Sequence, residues 1–438
     1  MSLAGQTSLG GRLHELRGRC VMIMARRQIS TALAAAEIDG VARRIVLCTP
    51  GLATAYVETT MRDAQVDAVI VDDDLPEGSL PEDMHLGGAG ITVCPDQLQP
   101  VAGVTERDTG TEWVLLTSGT TGLPKLALHS LESLVAPIGV GVPPGDPVWS
   151  TFYDIRRYGG LQILLRALVG GGSMVLSDAS EPVDAFLARA GAEKVTHISG
   201  TPSHWRRVLM SAAAGCIAPG YLRLSGEACD QAVLDRLKLA YPRAAITHAF
   251  ASTEAGVGFN VKDGLAGFPA SLIGPERAGV QMRVEDGSLR IRSSRTASGY
   301  LGDASGKPLP DRDGFVDTGD LLELRDKRYY FIGRRGGVIN VGGFKVHPEA
   351  VEAVINEHPA VHASRVSGRA SPIIGALVVA EIVMKQVAAP GASGFVSVRR
   401  ELLELCRNRL PCHQVPMNFR EVGSLEVASS GKMTRLHA

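Results

Sequence analysis

The chain has 438 residues, a formal net charge of −1, 45% hydrophobic residues and 21% charged residues. A single hydrophobic core stops growing near about 250–300 residues, so this length predicts more than one domain. The hydrophobic content excludes a largely disordered chain, and the balanced charge excludes a strongly basic protein built for nucleic acid or an anionic membrane surface.

Short apolar runs alternate with helix-compatible stretches in the first third of the chain. Such alternation predicts βαβ units and a largely parallel sheet. Ser30 is the predicted N-cap of the first helix. The predicted strands cover residues 20–24, 45–48, 68–71 and 113–116, and the predicted helices cover 30–39 and 53–64.

The middle of the chain continues this alternation, and Gly226, Glu227 and Ala228 are predicted to open a helix that ends near residue 240. Between residues 279 and 292 the pattern changes to short alternating runs with Gly turns, which predicts an antiparallel, barrel-like section. The other strands predicted here cover 174–176, 195–198, 222–224, 245–248 and 329–332, and the other helices cover 182–190 and 202–210.

A domain boundary is predicted at the glycine-rich residues 333–337. Beyond it, two helices at 346–355 and 398–409 and a strand at 376–383 predict a compact α+β unit of about 100 residues. The predicted fold class is therefore α/β. It has a large N-terminal domain, residues 1–334, of mostly parallel sheets with helices plus a barrel-like β section, and a small mobile α+β C-terminal domain, residues 335–438.

Seven cysteines are scattered along the chain without a C-x-x-C pair, which is typical of reduced, structural thiols. Cys406 and Cys412 lie near His413 but lack the paired spacing of a zinc site. The N-terminus has no apolar signal core, and no run reaches the roughly 18 apolar residues that a membrane span needs. We therefore expect a cytoplasmic protein without a membrane partner.

The strongest local pattern is a hydroxyl-rich loop between Thr117 and Lys125, directly after an apolar strand. Its two glycines let backbone amides approach a phosphate chain, its hydroxyls can donate to phosphate oxygens, and Lys125 adds a positive charge. Pro124 stands where the familiar P-loop requires Gly, so this is a different phosphate loop. The alternative is a polar surface linker. The phosphate-binding residues predicted here are Thr117, Ser118, Gly119, Thr120, Thr121, Gly122 and Lys125.

This loop resembles the phosphate loop of the adenylate-forming superfamily, which holds acyl- and aryl-CoA ligases, peptide synthetase adenylation domains and firefly luciferase. Four further segments resemble its motifs in the expected order. With the loop they make five motifs in the family's order, and this combination is specific for the superfamily. The four further segments are Phe250-Ala251-Ser252-Thr253-Glu254, Asp317-Thr318-Gly319-Asp320-Leu321, Gly333-Arg334 with Gly342-Gly343 and Glu349, and Ser430-Gly431-Lys432-Met433-Thr434-Arg435.

The resemblance implies roles for individual residues. Glu254 beside the triphosphate is expected to hold Mg²⁺, and its alternative is a solvated surface acid. Phe250 is expected to stack on adenine, and its alternative is a core aromatic. Asp320 is expected to accept hydrogen bonds from the ribose hydroxyls, and its alternative is a turn aspartate. The other implied nucleotide contacts are Gly226, Glu227, Ala228, Ala251, Ser252 and Arg334.

The resemblance assigns catalysis to Lys432, Thr253 and Glu254. In adenylation a carboxylate attacks the α-phosphorus and pyrophosphate leaves, so two anions must meet. A lysine that bridges the carboxylate and the α-phosphate neutralises that charge. In the family the small domain then rotates, withdraws this lysine and presents a thiol to the acyl-AMP. The alternative for Lys432 is a solvated lysine near the chain end.

Three departures from the family pattern stand out. The phosphate loop comes early, which implies a shortened N-terminal region; Gly336 replaces the usual charged hinge residue; and Ala251 replaces a Gly. In the expected acyl pocket, Arg156 or Arg157 can pair with a polar or second carboxylate group of the substrate, or form a solvated basic turn.

The sequence therefore predicts an AMP-forming acid–thiol ligase that uses ATP, Mg²⁺ and a small-molecule carboxylic acid, with coenzyme A as the acceptor. A carrier-protein thiol or an amine is the alternative acceptor, and a non-catalytic nucleotide-binding relative is the alternative of another class. The particular acid, the acceptor and the oligomeric state stay open, and no nucleic-acid partner is expected.

Overall fold

The computed structural model describes residues 5–49, 52–73, 90–101, 106–117, 124–139, 145–178, 181–302, 309–341, 344–371, 375–385 and 394–425. In this part of the chain no helix is long and apolar enough to cross a bilayer. The α-helices are α1 (Gln28–Ile38), α2 (Thr54–Ala64), α3 (Leu131–Val135), α4 (Tyr158–Val169), α5 (Val183–Ala192), α6 (Pro202–Met210), α7 (Gln231–Ala240), α8 (Pro348–Ile355) and α9 (Phe395–Arg409).

A seven-stranded sheet is formed mainly by the first third of the chain. Its strands are β2 (Cys20–Met24), β3 (Arg44–Leu47), β4 (Ala68–Val71), β5 (Gly90–Thr92), β7 (Glu112–Thr117), β8 (Lys125–Ser130) and β18 (Gly299–Leu301). The order is β18-β8-β7-β3-β2-β4-β5. The β18–β8 and β8–β7 pairs are antiparallel, and the other pairs are parallel. The largely parallel sheet predicted from the alternation is thus confirmed. A short antiparallel pair, β1 (Gln6–Thr7) and β6 (Gln99–Pro100), lies outside this sheet.

A six-stranded sheet follows in the middle of the chain. Its strands are β9 (Val148–Thr151), β10 (Ser173–Val175), β11 (His197–Gly200), β12 (Tyr221–Ser225), β13 (Ala245–Ser252) and β14 (Gly256–Val261). The order is β10-β9-β11-β12-β13-β14, and only the β13–β14 pair is antiparallel. Ligand sites in such sheets lie beyond the carboxyl ends of the strands, and Gly226 and Thr253 both follow strands at that edge.

A five-stranded sheet between residues 268 and 334 is antiparallel throughout. Its strands are β15 (Phe268–Pro269), β16 (Val280–Glu285), β17 (Ser288–Ser293), β19 (Val316–Arg325) and β20 (Arg328–Arg334). Their order is β15-β20-β19-β17-β16. The change from parallel to antiparallel pairing confirms the change of pattern predicted after residue 279.

The C-terminal elements bury apolar side chains among themselves. Their strands are β21 (Ile339–Val341), β22 (Phe344–Val346), β23 (Val361–Ser371), β24 (Gly375–Met384) and β25 (Asn418–Glu421). Val351 and Ile355 of α8 and Leu402 of α9 share one core cluster with the sheet. This small core is consistent with an α+β unit, whereas its predicted boundary between residues 334 and 335 stays a prediction.

Two predicted helix starts are wrong. α1 begins at Gln28, so Ser30 lies buried inside the helix and is not its N-cap. α7 begins at Gln231, and the Asp230 side chain accepts a hydrogen bond of 2.9 Å from the backbone N of Val233. Gly226 has φ +88°, a left-handed conformation that a right-handed helix excludes, so residues 226–228 form a turn before the helix.

Candidate active site

The predicted phosphate loop joins two paired strands. β7 ends at Thr117, β8 begins at Lys125, and the Cα atoms of these two residues are partners in the ladder. The loop is therefore the connection of a hairpin, and the Lys125 side chain starts at its base. The residues predicted to contact phosphate that lie outside the described part of the chain are Ser118, Gly119, Thr120, Thr121 and Gly122.

Lys125 and Glu254 are linked through Tyr300. The Lys125 Nζ lies 5.3 Å from the centroid of the Tyr300 ring, and the Tyr300 hydroxyl donates a hydrogen bond of 3.2 Å to Oε1 of Glu254. Burial raises the pKa of the Tyr300 phenol, and the Glu254 charge adds to that shift. The phenol therefore stays protonated and keeps donating, which places a cation and a carboxylate on either side of one aromatic ring.

His129 fixes the backbone of the Thr253-Glu254 segment. Its Nε2 lies 2.8 Å from the carbonyl oxygen of Thr253, and its Nδ1 lies 3.0 Å from Oγ of Ser133. The ring is 1% exposed, and burial lowers its pKa, so the imidazole is neutral. Because a carbonyl only accepts, Nε2 carries the hydrogen. The start of α3 thereby holds the turn that presents Glu254.

The turn between β13 and β14 is held by one hydrogen bond from the segment before β18 and by one within the turn. The backbone N of Ala297 donates a hydrogen bond of 2.9 Å to the carbonyl oxygen of Glu254, and Oγ of Ser252 accepts one of 3.0 Å from the backbone N of Ala255. Gly256 has φ +73°, and a Cβ there would lie 2.4 Å from the carbonyl oxygen of Arg295. Only glycine fits this close approach, so the position of Glu254 is set by the fold.

Phe250 belongs in part to an aromatic cluster. Its ring centroid lies 5.3 Å from that of Phe331 and 5.9 Å from that of Phe259, with the rings nearly parallel. The ladder between β13 and β14 shifts register between Phe250 and Ala251, and both residues are half-buried. Phe250 thus has the packing of a core aromatic on the sides it shares with the cluster, and adenine stacking stays a prediction.

The turn at Gly226 lies at the carboxyl end of β12. The Glu227 carboxylate accepts a hydrogen bond of 2.9 Å from the backbone N of Ser203, in the first turn of α6. A carboxylate at a helix N-terminus satisfies an otherwise unpaired backbone donor. The Glu227 side chain therefore stabilises the start of α6. Backbone atoms of Gly226 and Ala228 are better candidates for the predicted nucleotide contact.

Asp320 and Arg334 lie on adjacent strands, β19 and β20, and their Cα atoms are ladder partners. Nε of Arg334 lies 3.0 Å from Oδ1 of Asp320, and another guanidinium nitrogen donates 3.1 Å to the carbonyl oxygen of Thr318. The charge of Arg334 acts against the upward pKa shift of Tyr300, so this pair lies within electrostatic range of the Lys125–Tyr300–Glu254 group. Their ribose contacts stay a prediction.

Arg156 is engaged inside the protein. It is 3% exposed and forms a paired contact with Asp154, with Nε 2.7 Å from Oδ1, and it donates 2.6 Å to the carbonyl oxygen of Ala25. A guanidinium held by these acceptors is a poor candidate for substrate binding. Arg157 is the residue that precedes α4, at its N-cap position.

The structure brings together some of the predicted site residues and leaves others undescribed. Lys125, Thr253 and Glu254 converge around Tyr300 and His129, neither of which the sequence singles out. Thr117 is the ladder partner of Lys125. No local sequence motif predicts a role for Tyr300, because it lies in a strand that comes next to β8 only in the folded sheet. The hinge and catalytic residues outside the described part of the chain are Gly342, Gly343 and Lys432.

Comparison with known proteins shows the family of this chain. The sequence pattern of the AMP-binding enzyme family matches residues 9–301, and that of the AMP-binding enzyme C-terminal domain matches residues 350–432. The chain belongs to the AMP-binding enzyme family. This AMP-binding enzyme therefore carries the superfamily resemblance over most of its length, as the five motifs predicted.

Two curated relatives are 2-succinylbenzoate–CoA ligases. The protein from Salmonella typhimurium is 30% identical over 259 residues, which cover 56% of this chain and 52% of the relative. The protein from Staphylococcus epidermidis is 25% identical over 347 residues, which cover 74% of this chain and 68% of the relative. The AMP-binding enzyme thus spans about half of one relative and about two thirds of the other.

Solved structures share the fold. ATP-bound MatB from Rhodopseudomonas palustris has a TM-score of 0.76 at 19% identity, covering 97% of this chain and 90% of that one. The o-succinylbenzoate CoA synthetase MenE from Bacillus subtilis, in complex with the acyl-adenylate intermediate OSB-AMP, has a TM-score of 0.70 at 18% identity, covering 97% and 90%. At these identities the likeness concerns architecture.

Proposed function

We propose that this AMP-binding enzyme is an ATP-dependent ligase that joins a carboxylic acid to AMP with release of pyrophosphate, and then transfers the acyl group to coenzyme A. The observation that supports it most is the group of Lys125, Tyr300 and Glu254 at the base of the phosphate loop. A cation and a carboxylate beside a hydroxyl-rich loop suit a nucleotide triphosphate with its metal.

The residues around Glu254 fit Mg²⁺. The carboxylate is hydrogen-bonded through Oε1 to Tyr300, whose hydroxyl holds its orientation. Mg²⁺ is bound in proteins by one or two carboxylates together with phosphate oxygens and water, and it neutralises charge on the leaving pyrophosphate. Lys125 supplies a fixed positive charge on the phosphate chain, and the Thr253 backbone is held in place by His129.

The first half-reaction requires two anions to meet. An oxygen of the carboxylic acid attacks the α-phosphorus of ATP, a new acyl–oxygen–phosphorus link forms, and the bond to pyrophosphate breaks. Catalysis is alignment and charge neutralisation, since the acid is already ionised and needs no base. We infer that Lys432 bridges the two reacting groups, and that the Asp320–Arg334 pair positions the ribose.

The acceptor follows from the printed function of the relatives, which are CoA ligases. A CoA thiol that attacks the acyl-AMP carbonyl forms the thioester and releases AMP. The acid in the names of these relatives, 2-succinylbenzoate, is the first candidate substrate. A carrier-protein thiol or an amine would use the same first half-reaction and differ only in the second.

Exchange of labelled pyrophosphate into ATP tests the first half-reaction. With Mg²⁺ and a panel of acids that includes 2-succinylbenzoate, we expect exchange that depends on the acid, and thioester formation once CoA alone is added. Exchange without a thioester would indicate another acceptor. A folded protein that catalyses no exchange with any acid of the panel would favour the non-catalytic alternative.

The metal assignment predicts a specific defect in Glu254→Gln. Replacing the carboxylate by an amide removes a hard anionic ligand, so the Mg²⁺ concentration for half-maximal exchange should rise about tenfold or more, which corresponds to about 1.4 kcal/mol. Tyr300→Phe is the matched control, because it keeps the carboxylate and the ring under Lys125 and removes only the phenol hydroxyl. Its Mg²⁺ requirement should change less. An unchanged magnesium profile in Glu254→Gln contradicts the assignment.

A further inference from the structure

A cavity of about 220 Å³ lies between α7 and the C-terminal elements. One wall is formed by α7 and by a side chain of α6. The opposite wall is formed by residues that follow α8 and by the end of the β23–β24 ladder, where Val361 and Met384 are partners. His362 and Lys385 each follow one of these partners in the chain, and both line the cavity. The site therefore takes its side chains from two parts of the molecule.

Two cations of this cavity, Arg236 and Lys385, have no carboxylate partner among the described residues. Nη1 of Arg236 lies 3.5 Å from Nδ1 of His362, and Nζ of Lys385 donates a hydrogen bond to the carbonyl oxygen of Pro359. Both side chains are half-buried. Burial lowers the pKa of Lys385, and the charge of Arg236 adds to that shift, so the two cations act on each other. Half-buried cations without a counter-ion favour the binding of an anion.

The other charged groups around the cavity are largely accounted for. Arg206 forms an ion pair with Asp230, and Glu357 forms one with Arg409. Asp235 is exposed, and its carboxylate accepts a hydrogen bond of 2.8 Å from the side chain one turn earlier in α7. The two unpaired cations therefore outweigh the single acid at the rim, and the cavity keeps a positive charge.

His362 reports this positive potential from inside the cavity. Its side chain is 5% exposed, and burial, together with the charges of Arg236, Arg206 and Lys385, lowers its pKa to about 3. The imidazole is therefore neutral at physiological pH. Because Nδ1 faces a guanidinium, which only donates, the hydrogen is on Nε2. The cavity thus offers two cations and a neutral ring that repels no anion.

We propose that this cavity binds one inorganic oxyanion of the phosphate class, either phosphate or pyrophosphate, between Arg236 and Lys385. A guanidinium donates two parallel hydrogen bonds to such an anion, and an ammonium group adds a point charge. The inference goes beyond the proposed function and does not depend on it, because the group of Lys125, Tyr300 and Glu254 takes no part in this site.

A bound anion joins α7 to the C-terminal strands. Arg236 and Lys385 belong to different parts of the molecule, so both hold the anion only while these parts keep the arrangement described above. A ligand that binds one arrangement shifts the equilibrium towards it by a factor of one plus the ratio of ligand concentration to Kd, about a hundredfold at 100 times Kd. The anion therefore opposes rotation of the C-terminal elements away from α7.

Calorimetric titration of the full chain tests the site. Phosphate and pyrophosphate are titrated separately, without Mg²⁺ or ATP and at constant ionic strength, and the tighter of the two is the preferred ligand. We expect one binding event that depends on both cations. Arg236→Gln and Lys385→Gln should each weaken it about tenfold or more, because each removes a charge-assisted contact. An absence of binding to the wild-type protein at millimolar anion would overturn the proposal.

The phosphate loop is the rival site for these anions, so Lys125→Gln is measured alongside and should leave this binding event unchanged. Arg325→Gln is the surface control, since its side chain is 55% exposed and pairs with Glu323. Lys385→Arg keeps the charge and should retain most of the affinity. Binding that is lost in Lys125→Gln and kept in both cavity variants would assign the anion to the phosphate loop and overturn the proposal.

Trypsin cleavage at the predicted domain boundary measures the link between the two parts. The side chains of Arg334 and Arg335 are 55% and 54% exposed. The preferred anion should slow cleavage there, with its half-maximal effect at the concentration found by calorimetry, because it restrains opening of the junction. This protection should be lost in Arg236→Gln. Cleavage that the anion does not change in the wild-type protein, or protection that persists in Arg236→Gln, would overturn the proposal.

Discussion

At the scale of single residues, buried histidines show how the interior selects a protonation state. His204 is 8% exposed and lies in the first turn of α6, where its Nδ1 accepts a hydrogen bond of 3.1 Å from the backbone N of Thr201. The Thr201 hydroxyl accepts in turn from the backbone N of His204, which completes a capping box. Protonation of Nδ1 would remove the acceptor that this cap uses.

Burial, with the nearby charge of Arg207, lowers the pKa of His204 to about 3. The unfolded chain, with an ordinary histidine pKa of about 6.5, therefore binds this proton more tightly, and stability must fall as the pH falls below about 6.5. Between pH 7.5 and 5.5 we expect His204 to reduce the free energy of unfolding by about 1.4 kcal/mol. Urea unfolding at both pH values measures it.

His204→Asn is the matched variant, because its amide oxygen can accept the same hydrogen bond without titrating. Its loss of stability between the two pH values should be smaller than that of the wild type by about the same 1.4 kcal/mol. Other histidines contribute equally to both proteins and cancel. Identical pH dependence in the two proteins would show that His204 does not remain neutral in the fold.

At the scale of elements, helix ends were harder to predict than helix existence. Helix 202–210 has the predicted bounds, because Thr201 before Pro202 is a clear start signal. The helix predicted from Gly226 begins at Gln231, since Asp230 competes as a cap and Gly226 adopts a positive φ. Which residue becomes the N-cap, and which backbone φ a glycine adopts, depend on contacts with neighbouring strands. The local sequence does not show these contacts.

The same limit applies to the site. Motifs predict that Thr117, Lys125 and Glu254 lie near a phosphate chain, because each belongs to a local pattern of hydroxyls, glycines or charge. Tyr300 joins them only through pairing of β18 with β8, a contact between residues far apart in sequence.

Asp230 supports three contacts at the start of α7. Its carboxylate caps Val233, forms an ion pair with Arg206 and accepts 3.4 Å from Nδ2 of Asn356. Arg206 is 8% exposed. In Asp230→Ala a buried guanidinium loses its partner, so we expect a destabilisation of about 3 kcal/mol, at the lower end for such pairs because Glu227 and Glu352 also act on Arg206. Urea unfolding measures it.

Two control variants separate the contribution of the buried ion pair from that of the helix cap. Asp230→Asn keeps a side-chain oxygen for the cap and should cost less than Asp230→Ala. Asp108→Ala removes an exposed partner of Arg17 and should destabilise the protein far less, because solvent screens this ion pair. If Asp230→Ala destabilises the protein no more than Asp108→Ala, the buried ion pair does not support α7.

At the scale of the whole molecule, polar side chains connect the described C-terminal elements with α7 and its N-cap. Asn356 reaches Asp230, and a nitrogen of Arg236 lies 3.5 Å from Nδ1 of His362. A cavity of about 220 Å³ separates α7 from the C-terminal residues around it. Polar interfaces with gaps are typical of domains that move relative to each other. The rotation that the family resemblance implies is therefore physically reasonable here.

At the predicted boundary between the two domains, Gly333 is closely approached by a neighbouring side chain. Gly333 has φ +145°, and a Cβ there would lie 2.8 Å from Oε2 of Glu349 at the start of α8. Three residues later, Gly336 lies in a turn closed by a hydrogen bond of 2.9 Å from the backbone N of Gly337 to the carbonyl oxygen of Arg334. A change at Gly336 thus acts on the rotation of the chain within this turn, whereas a side chain at Gly333 would meet Glu349.

If the small domain rotates between half-reactions, two variants should fail at different steps. Gly336→Pro fixes φ near −65° at the junction and should slow thioester formation more than adenylation. Lys432→Ala should slow acyl-AMP formation about 10²–10³-fold, because it removes a charge needed in that transition state. The same variant should form thioester from supplied acyl-AMP at a nearly normal rate. Single-turnover assays of each half-reaction measure the four rates.

Because each variant is expected to slow a different half-reaction, the comparison distinguishes domain rotation from a general loss of folding or binding. Misfolding or a weakened nucleotide site would lower both half-reactions together, so unfolding curves and ATP affinity must be measured on the same samples. ATP affinity should change little in either variant, since Lys125 and Asp320 are untouched. A Lys432→Ala protein that adenylates at the wild-type rate contradicts the catalytic role. A Gly336→Pro protein that loses both half-reactions equally contradicts the hinge, because only a step that needs rotation should depend on the freedom of that one bond.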